Sequence, residues 1–162
     1  MTATSYAIAL GSNRRHHRHG APDGVVRAAI AALSAFGQIE AHSRVFRTAP
    51  MGPAGRSFAN AAVLLITDLP PLALLETLKR VERQFGRRPG RRWGSRVLDL
   101  DIVLWSEGPW SDARLTVPHP AFRARAFVLH PLAQIAPLWR DPLTGRTVRQ
   151  LRHAVDRRTS RA

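Results

Sequence analysis

The stretch "RVLDLDIVLW", residues 96–105, sets two aspartates one residue apart in a run that otherwise has the apolar character of a buried strand. Strands disfavour Asp, and an ionised carboxylate is costly to bury unless a cation or hydrogen-bond donors compensate it. Side chains alternate along a strand, so Leu98, Leu100, Ile102 and Leu104 are expected on one face and Val97, Asp99, Asp101, Val103 and Trp105 on the other. A fold that uses this strand must bury the first face and leave the second open to whatever neutralises the pair. At ~5 Å and an effective dielectric of ~20, two such charges repel by roughly 3 kcal/mol, more than two pKa units. A proton or a metal must resolve that repulsion. With oxygen donors and no cysteine in the chain, Mg²⁺ holding a polyphosphate fits better than a softer metal. Taken alone, Asp-x-Asp reads equally well as a solvated sheet face.

The flanking sequence shifts that balance. "GRRPGRRWGSR" brings Arg87, Arg88, Arg91, Arg92 and Arg96 close to the carboxylates, more guanidinium than two carboxylates need and suited to a triphosphate. The whole chain is basic, with 25 Lys+Arg against 11 Asp+Glu, a formal charge of +14, and Lys79 as its single lysine. A coding bias toward arginine raises such a count without function, so position carries the argument. Phe58 and Asn60, two apart on an expected strand, share a face. An aromatic beside a carboxamide can cradle a flat polar heterocycle, although core packing is the commoner use of Phe. The three histidines of "RRHHRHGAPDG", 14–24, match no zinc spacing and read as a solvated basic loop.

At 162 residues with 44% hydrophobic composition, the chain is sized for one domain spanning 1–162. It has no run long enough to span a bilayer, and its first residues lack the basic region of a signal peptide. A cytoplasmic location is expected, and the absence of cysteine fits a reducing compartment. Apolar periodicity predicts a strand over 6–10 ended by the "GSN" turn, a helix over 24–36, strands over 39–47 and 58–66, a helix around Leu74, Leu78, Val81 and Phe85, and a strand over 97–105. The order is β-α-β-β-α-β, which predicts an α+β fold with a ferredoxin-like antiparallel sheet and both helices on one face. The Pro-punctuated tail from about Leu115 is expected to wrap the same core in short helical pieces.

Four segments carry a resemblance to a known family: "IALGSN" at 8–13, "FRTAPMGPAGRSFANAA" at 46–62, "GRRPGRRWGSRVLDLDIVLW" at 86–105 and "LTVPHPAFRARAFVLHPLAQIAP" at 115–137. In that order and spacing the chain resembles the 6-hydroxymethyl-7,8-dihydropterin pyrophosphokinases of folate biosynthesis over nearly its whole length. The resemblance implies two Mg²⁺ ions, ATP as co-substrate, and transfer of an intact pyrophosphoryl group to the hydroxymethyl oxygen of the pterin, releasing AMP. It makes Asp99 and Asp101 the metal-bridging carboxylates, Phe58 and Phe127 the aromatics that sandwich the pterin, and Asn60 its hydrogen-bonding amide. Thr48, Ala49 and Met51 fall where a family loop offers backbone groups to the pterin. Arg92, Trp93, Arg96, His119 and Arg125 match the set around the ATP phosphates, with Arg92 and Arg96 counted as catalytic. Glu82, Ile102, Arg114, Leu115 and Thr116 sit at nucleotide-side positions.

The chain departs from the family pattern in three places. Ser95 replaces the proline of the usual "WGPR", and Pro89 stands where a second loop arginine is often found. The early "RRHHRHG" differs from the acidic "GD" that often follows "GSN". Pro89 favours extended backbone at Arg88, from which Arg88 is expected to reach the phosphates instead. No residue stands out as a strong general base, which leaves deprotonation of the hydroxyl to Mg²⁺, helped by one aspartate. Two other readings compete: a basic RNA-binding sheet, against which the paired aspartates argue because they repel phosphates, and a metal-dependent nucleotidyltransferase, which releases pyrophosphate and not AMP. A monomer is expected, with no membrane and no nucleic acid among its partners.

Overall fold

In the computed structural model, residues 2–51, 56–86 and 97–161 are described, with backbone alone at 49–51 and 56. Strand β1 (Thr4–Ser12) leads through α1 (Pro22–Leu33) to β2 (Gln38–His42), β3 (Phe46–Met51) and β4 (Arg56–Thr67). Helix α2 (Pro71–Gln84) precedes β5 (Asp99–Trp105); then come a small hairpin of β6 (Trp110–Ser111) and β7 (Thr116–Val117), α3 (Ala126–Ile135) and α4 (Val148–Ser160). The main sheet is antiparallel in the order β2-β4-β1-β5, with β3 also pairing with β4.

One face of the sheet buries Tyr6, Ile8 and Leu10 of β1, Ala61, Val63 and Leu65 of β4, and Leu100 and Ile102 of β5 against α1 and α2. Leu74, Leu78 and Val81 of α2, with Phe85 just past its end, are a buried stripe at the helical spacing expected of them. The opposite face is covered at one end only: Ala7, Ala62, Leu64, Val103 and Leu104 pack with Leu129 and Leu132 of α3 and Leu151 and Val155 of α4. The other end of that face stays uncovered by helices, and Phe58, Asn60, Asp99 and Asp101 project there.

Several sequence expectations change. The single strand expected over 39–47 is two, β2 and β3, laid end to end along one edge of β4. Between them the buried Ser43 completes the ladder: its N–H donates to Ala62 O at 2.9 Å and its Oγ accepts the Ala62 N–H at 2.9 Å. The "GSN" turn begins later than its composition suggests, because Gly11 and Ser12 remain in β1, opposite Asn60 and Ala59. Strict alternation also fails in β5. Ile8 pairs with Ile102 and Ala7 with Leu104, so Val103 is an extra residue in the strand. That bulge turns Leu104 to the α3 side beside Val103 and returns Trp105 to the α1/α2 side, where it stacks on Tyr6 at 5.7 Å with planes 8° apart. The tail holds a 13-residue helix, α4, longer than the short pieces expected, started by a reciprocal Thr147–Gln150 capping box. The histidine loop is not simply solvated: His16 and His17 stack at 4.3 Å, and His19 stacks on Phe85 at 5.2 Å.

Gly37 joins α1's terminal turn to β2 where any Cβ would come within 2.2 Å of Ile66 O, so the chain can pass this close to β4 only with glycine. The buried Asp141 anchors the segment between β7 and α3. It accepts from Arg123 Nε at 2.5 Å and Nη2 at 2.7 Å, from Thr144 Oγ1 at 2.7 Å, and from the Leu143 N–H at 3.0 Å. Burial alone would raise the Asp141 pKa, but these donors and the Arg123 charge outweigh it and bring it down to about 2. Because the folded value lies below the ordinary 3.8, this contribution is fully present above about pH 4 and is lost as the pH falls toward 2. Its size is on the order of 2 kcal/mol. Asp141→Asn is expected to lower stability at pH 7 and to flatten the decline between pH 4 and 2, as read from urea unfolding across pH. Parallel pH profiles for variant and wild type would refute this anchoring role.

Candidate active site

The uncovered end of the sheet is ordered by strand register. Gly11 of β1 lies between Asn60 of β4 and Asp99 of β5, and one pleat further along the strand Ala9 lies between Ala62 and Asp101. The central strand thus contributes only a hydrogen and a methyl group to this face, and larger side chains rise on either side of it. Gly11 is needed for this: a Cβ there would sit 3.0 Å from Asn60 Oδ1. The two aspartates project to one side from alternate positions, as the strand period demands.

A cavity of about 560 Å³ opens above this floor. Its walls are Thr48, Phe58 and Asn60 on the β3/β4 side, Phe127, Val128 and Arg125 on the α3 side, and Asp99 and Asp101 at one end. Phe58 and Phe127 are 43% and 49% exposed, far from the burial expected of core aromatics, and they line a mostly apolar space. Thr48 is held beside Phe58 by register, with its hydroxyl 3.5 Å from Phe58 O.

A second cavity, about 390 Å³, adjoins the first and is polar. Lys79 and Glu82 of α2 face His119 and Arg125 across it, and Asp99 and Asp101 line it as well. The aspartates and Arg125 therefore belong to both cavities, with the carboxylates at the passage from one to the other. Glu82 is buried, and its carboxylate accepts the Leu100 N–H at 2.8 Å, which ties α2 to β5 midway between the two aspartates. His119 is held by its own N–H to Val103 O at 3.0 Å and by Nδ1, which accepts the Ala121 N–H at 3.1 Å. With Nδ1 an acceptor, Nε2 carries the ring proton. Burial keeps the His119 pKa below its ordinary 6.5, Asp101 opposing and Arg125 adding to that effect, so at neutral pH it is an uncharged donor. Arg125 also stands over the Phe127 ring, 5.6 Å from its centroid, linking the polar and apolar walls.

Among the residues expected from sequence, Thr48, Phe58, Asn60, Asp99, Asp101, Arg125 and Phe127 converge on the first cavity and Glu82, Asp99, Asp101, His119 and Arg125 on the second. Ala49 and Met51 lie in β3, where only backbone is described. Ile102 does not turn its side chain to either cavity; it is buried on the opposite sheet face, as strand alternation from Asp101 requires. Arg114, Leu115 and Thr116 lie on the β6–β7 hairpin, where Arg114 forms an ion pair with Glu76 of α2 and Asp112 Oδ1 accepts the Arg114 and Leu115 N–H groups. Arg88, Arg92, Trp93 and Arg96 fall outside the described residues. Sequence reasoning did not place three polar lining residues. Ser12 and Asn13 were absorbed into a turn, although they end a conspicuous "IALGSN". Lys79 carried its own signal as the single lysine, three residues before Glu82.

Among the described residues no group of three or more His, Asp or Glu could hold a metal. The donor set is instead two carboxylates facing the passage between cavities, which suits a hard cation that completes its shell with substrate oxygens.

Comparison with known proteins agrees with this geometry. Residues 7–137 match the family model for 7,8-dihydro-6-hydroxymethylpterin-pyrophosphokinase (HPPK). A Synechocystis 2-amino-4-hydroxy-6-hydroxymethyldihydropteridine pyrophosphokinase is 43% identical over 125 residues, covering 77% of this chain and 64% of its own length, so the chain spans somewhat less than two thirds of that relative. The Pseudomonas aeruginosa protein of the same name is 41% identical over 138 residues, covering 83% of this chain and 82% of its own. Wild-type Plasmodium falciparum HPPK-DHPS with STZ-DHP superposes with a TM-score of 0.75 over 99% of this chain and 44% of that one; at 13% identity this likeness speaks to the fold alone. With two apposed cavities meeting at a carboxylate pair and a family match spanning β1 to α3, the chain belongs to the 7,8-dihydro-6-hydroxymethylpterin-pyrophosphokinase family.

Proposed function

We propose that the chain transfers pyrophosphate from ATP to 6-hydroxymethyl-7,8-dihydropterin, giving the pterin diphosphate and AMP. The observation that carries this reading is that Asp99 and Asp101 line both cavities, one apolar with two exposed aromatics and one polar with cations. The flat pterin ring lies between Phe58 and Phe127 with Asn60 on its polar edge, and the ATP phosphates lie in the second cavity near His119 and Arg125. The substrate hydroxymethyl group then points at the passage, where the β-phosphorus can be approached in line.

Asp99 and Asp101 would hold the two Mg²⁺ ions expected here, which when bound would supply charge neutralisation and a lowered pKa for the attacking hydroxyl. The chain's own residues do the rest. Asp99 and Asp101 orient the two substrates toward each other. Arg125 and the His119 Nε2–H donate to phosphoryl oxygens, whose charge develops in the transition state. Phe58, Phe127 and the apolar wall exclude water from the acceptor. Arg88, Arg92, Trp93 and Arg96, which precede β5 in the chain and lie outside the described residues, are assigned the remaining phosphate contacts.

We read the strand order β2-β4-β1-β5 with α1 and α2 on one face as a ferredoxin-like core, and residues 115–161 as a segment wrapped against its other face. On this reading the chain is one pyrophosphokinase domain, acts as a monomer in the cytoplasm, and has no use for a membrane; no helix among the described residues is long and apolar enough to cross one.

Incubation with MgATP and the reduced pterin is expected to yield one AMP per pterin consumed. ADP or pyrophosphate as product, or no pterin-dependent turnover, would overturn the assignment. Asp99→Ala and Asp101→Ala are each expected to remove at least ~10²-fold of kcat/KM with the fold retained by circular dichroism, since each loses a ligand that acts on transition-state charge. Phe58→Ala and Phe127→Ala are expected to weaken pterin binding by about tenfold, an aromatic stack being worth ~1 kcal/mol beyond its buried area. ATP affinity should change little in both, and equal losses for both ligands would mean these rings serve packing.

A further inference from the structure

The wall of the apolar cavity that carries Phe58 and Thr48 stands beyond the part of the sheet that supports β4 on both sides. The last residue of β1 to pair with β4 is Ser12, opposite Ala59. Further out β4 pairs with β3, Thr48 opposite Phe58 and Met51 opposite Arg56. This end of β3 and β4 is therefore a two-stranded arm, and such a ribbon is only marginally stable without a third strand or a helix against it.

Behind the arm a third cavity, of about 350 Å³, separates it from the start of α1. Pro22 and Asp23 line it from α1, Arg47 and Ser57 line it from the arm, and Phe58 lines both this cavity and the apolar one. Phe58 thus borders open space on two sides, and close packing does not fix where its ring stands. An ion pair spans the gap. Asp23 Oδ2 accepts from Arg47 Nη2 at 2.6 Å across it and from Arg27 Nη1 at 2.7 Å on its own helix. The Asp23 side chain is only 19% exposed, so this carboxylate is held between two guanidiniums and is not a solvated surface charge. Arg47 precedes Thr48 and pairs with Ala59, the neighbour of Phe58, so the tie acts at the residues that form the cavity wall. An ion pair with one exposed partner adds little to global stability. Its leverage is local, at the end of a two-stranded arm.

We propose that Asp23 is a positioning residue for the pterin: by holding Arg47 it keeps the β3–β4 arm where Phe58 and Thr48 close on the ring. This rests on the reading of the apolar cavity as the pterin site. Without the tie the arm spends part of its time in placements that do not close, and apparent pterin affinity falls in proportion to the closed fraction. The polar cavity, which neither Asp23 nor Arg47 lines, is left as it was.

The test compares wild type with Asp23→Asn, Asp23→Glu, Arg47→Met, the Asp23→Asn/Arg47→Met double variant, and Arg27→Met, which removes the other partner of Asp23 without touching the arm. Titration calorimetry is run with a non-hydrolysable MgATP analogue and then with 6-hydroxymethyl-7,8-dihydropterin on the analogue-loaded protein, alongside steady-state kinetics and urea unfolding. Asp23→Asn and Arg47→Met are each expected to weaken pterin binding by roughly three- to tenfold, as for a closed fraction of about a third to a tenth. The double variant should lose no more than either single one, because both break the same contact. KM for the pterin should rise with kcat preserved, and Asp23→Glu should recover most of the affinity. The analogue affinity and the urea midpoint should stay at wild-type values, and Arg27→Met should bind both ligands as wild type does. Wild-type pterin affinity in either Asp23→Asn or Arg47→Met, additive losses in the double variant, or equal losses for pterin and analogue would overturn the proposal while leaving the assigned reaction intact. Failure of the wild-type protein to bind the pterin would overturn both.

Discussion

The depth of the site depends on what the central strand lacks. β1 runs between β4 and β5, and where the sheet face is uncovered it offers only Gly11 and Ala9. With nothing rising from the middle, Asn60 on one flank and Asp99 and Asp101 on the other become the walls of a trough. A larger side chain at position 11 would press on Asn60 and fill the floor at once. The same face a few residues away is closed by Leu129 and Leu132 of α3 packing on Ala7, Ala62 and Leu64. One sheet face thus serves as core at one end and as binding surface at the other, and the change occurs within the length of a single strand.

The bulge at Val103 belongs to this division. On the Asp side of it, alternation sends Leu100 and Ile102 into the core under α1 and α2 and both carboxylates to the open face. Beyond it, Leu104 joins Val103 under α3 and Trp105 crosses to stack on Tyr6. The strand therefore changes which face it buries where the covering helices change. The elements that confront the aspartates are fixed by polar anchors. Glu82 fastens α2 to the β5 backbone, the His119 N–H is bound to Val103 O, and the Asp141–Arg123 pair holds the turn that leads through Arg125 to Phe127 at the start of α3. Rigid walls matter for a transfer whose rate depends on bringing two substrates together in line.

Much of this was legible in the residues. The order of helices and strands followed from apolar period, and the shared direction of Asp99 and Asp101 followed from strand alternation. Period could not show the bulge, because Val103, Leu104 and Trp105 are all apolar or aromatic and fit either face equally well. It also could not separate β2 from β3, since the break depends on Ser43 bonding to Ala62, a residue distant in sequence. Phe58 was ambiguous between core and ligand wall because composition does not say whether a helix covers a strand end; its exposure resolves that. Lys79 escaped notice because helical spacing puts it on the solvent-facing side of α2, and only the approach of His119 and Arg125 makes a cavity wall there.

The central claim is that the two carboxylates join the two cavities into one reaction site. Paramagnetic relaxation tests it most directly, with Mn²⁺ bound alongside a non-hydrolysable ATP analogue and the hydroxymethyl protons of bound 6-hydroxymethyl-7,8-dihydropterin observed by NMR. The account predicts strong, distance-dependent broadening of those protons that is lost in an Asp99→Asn/Asp101→Asn double variant still able to bind the pterin. Broadening that is absent in the wild-type ternary complex, or unchanged in the double variant, would contradict it.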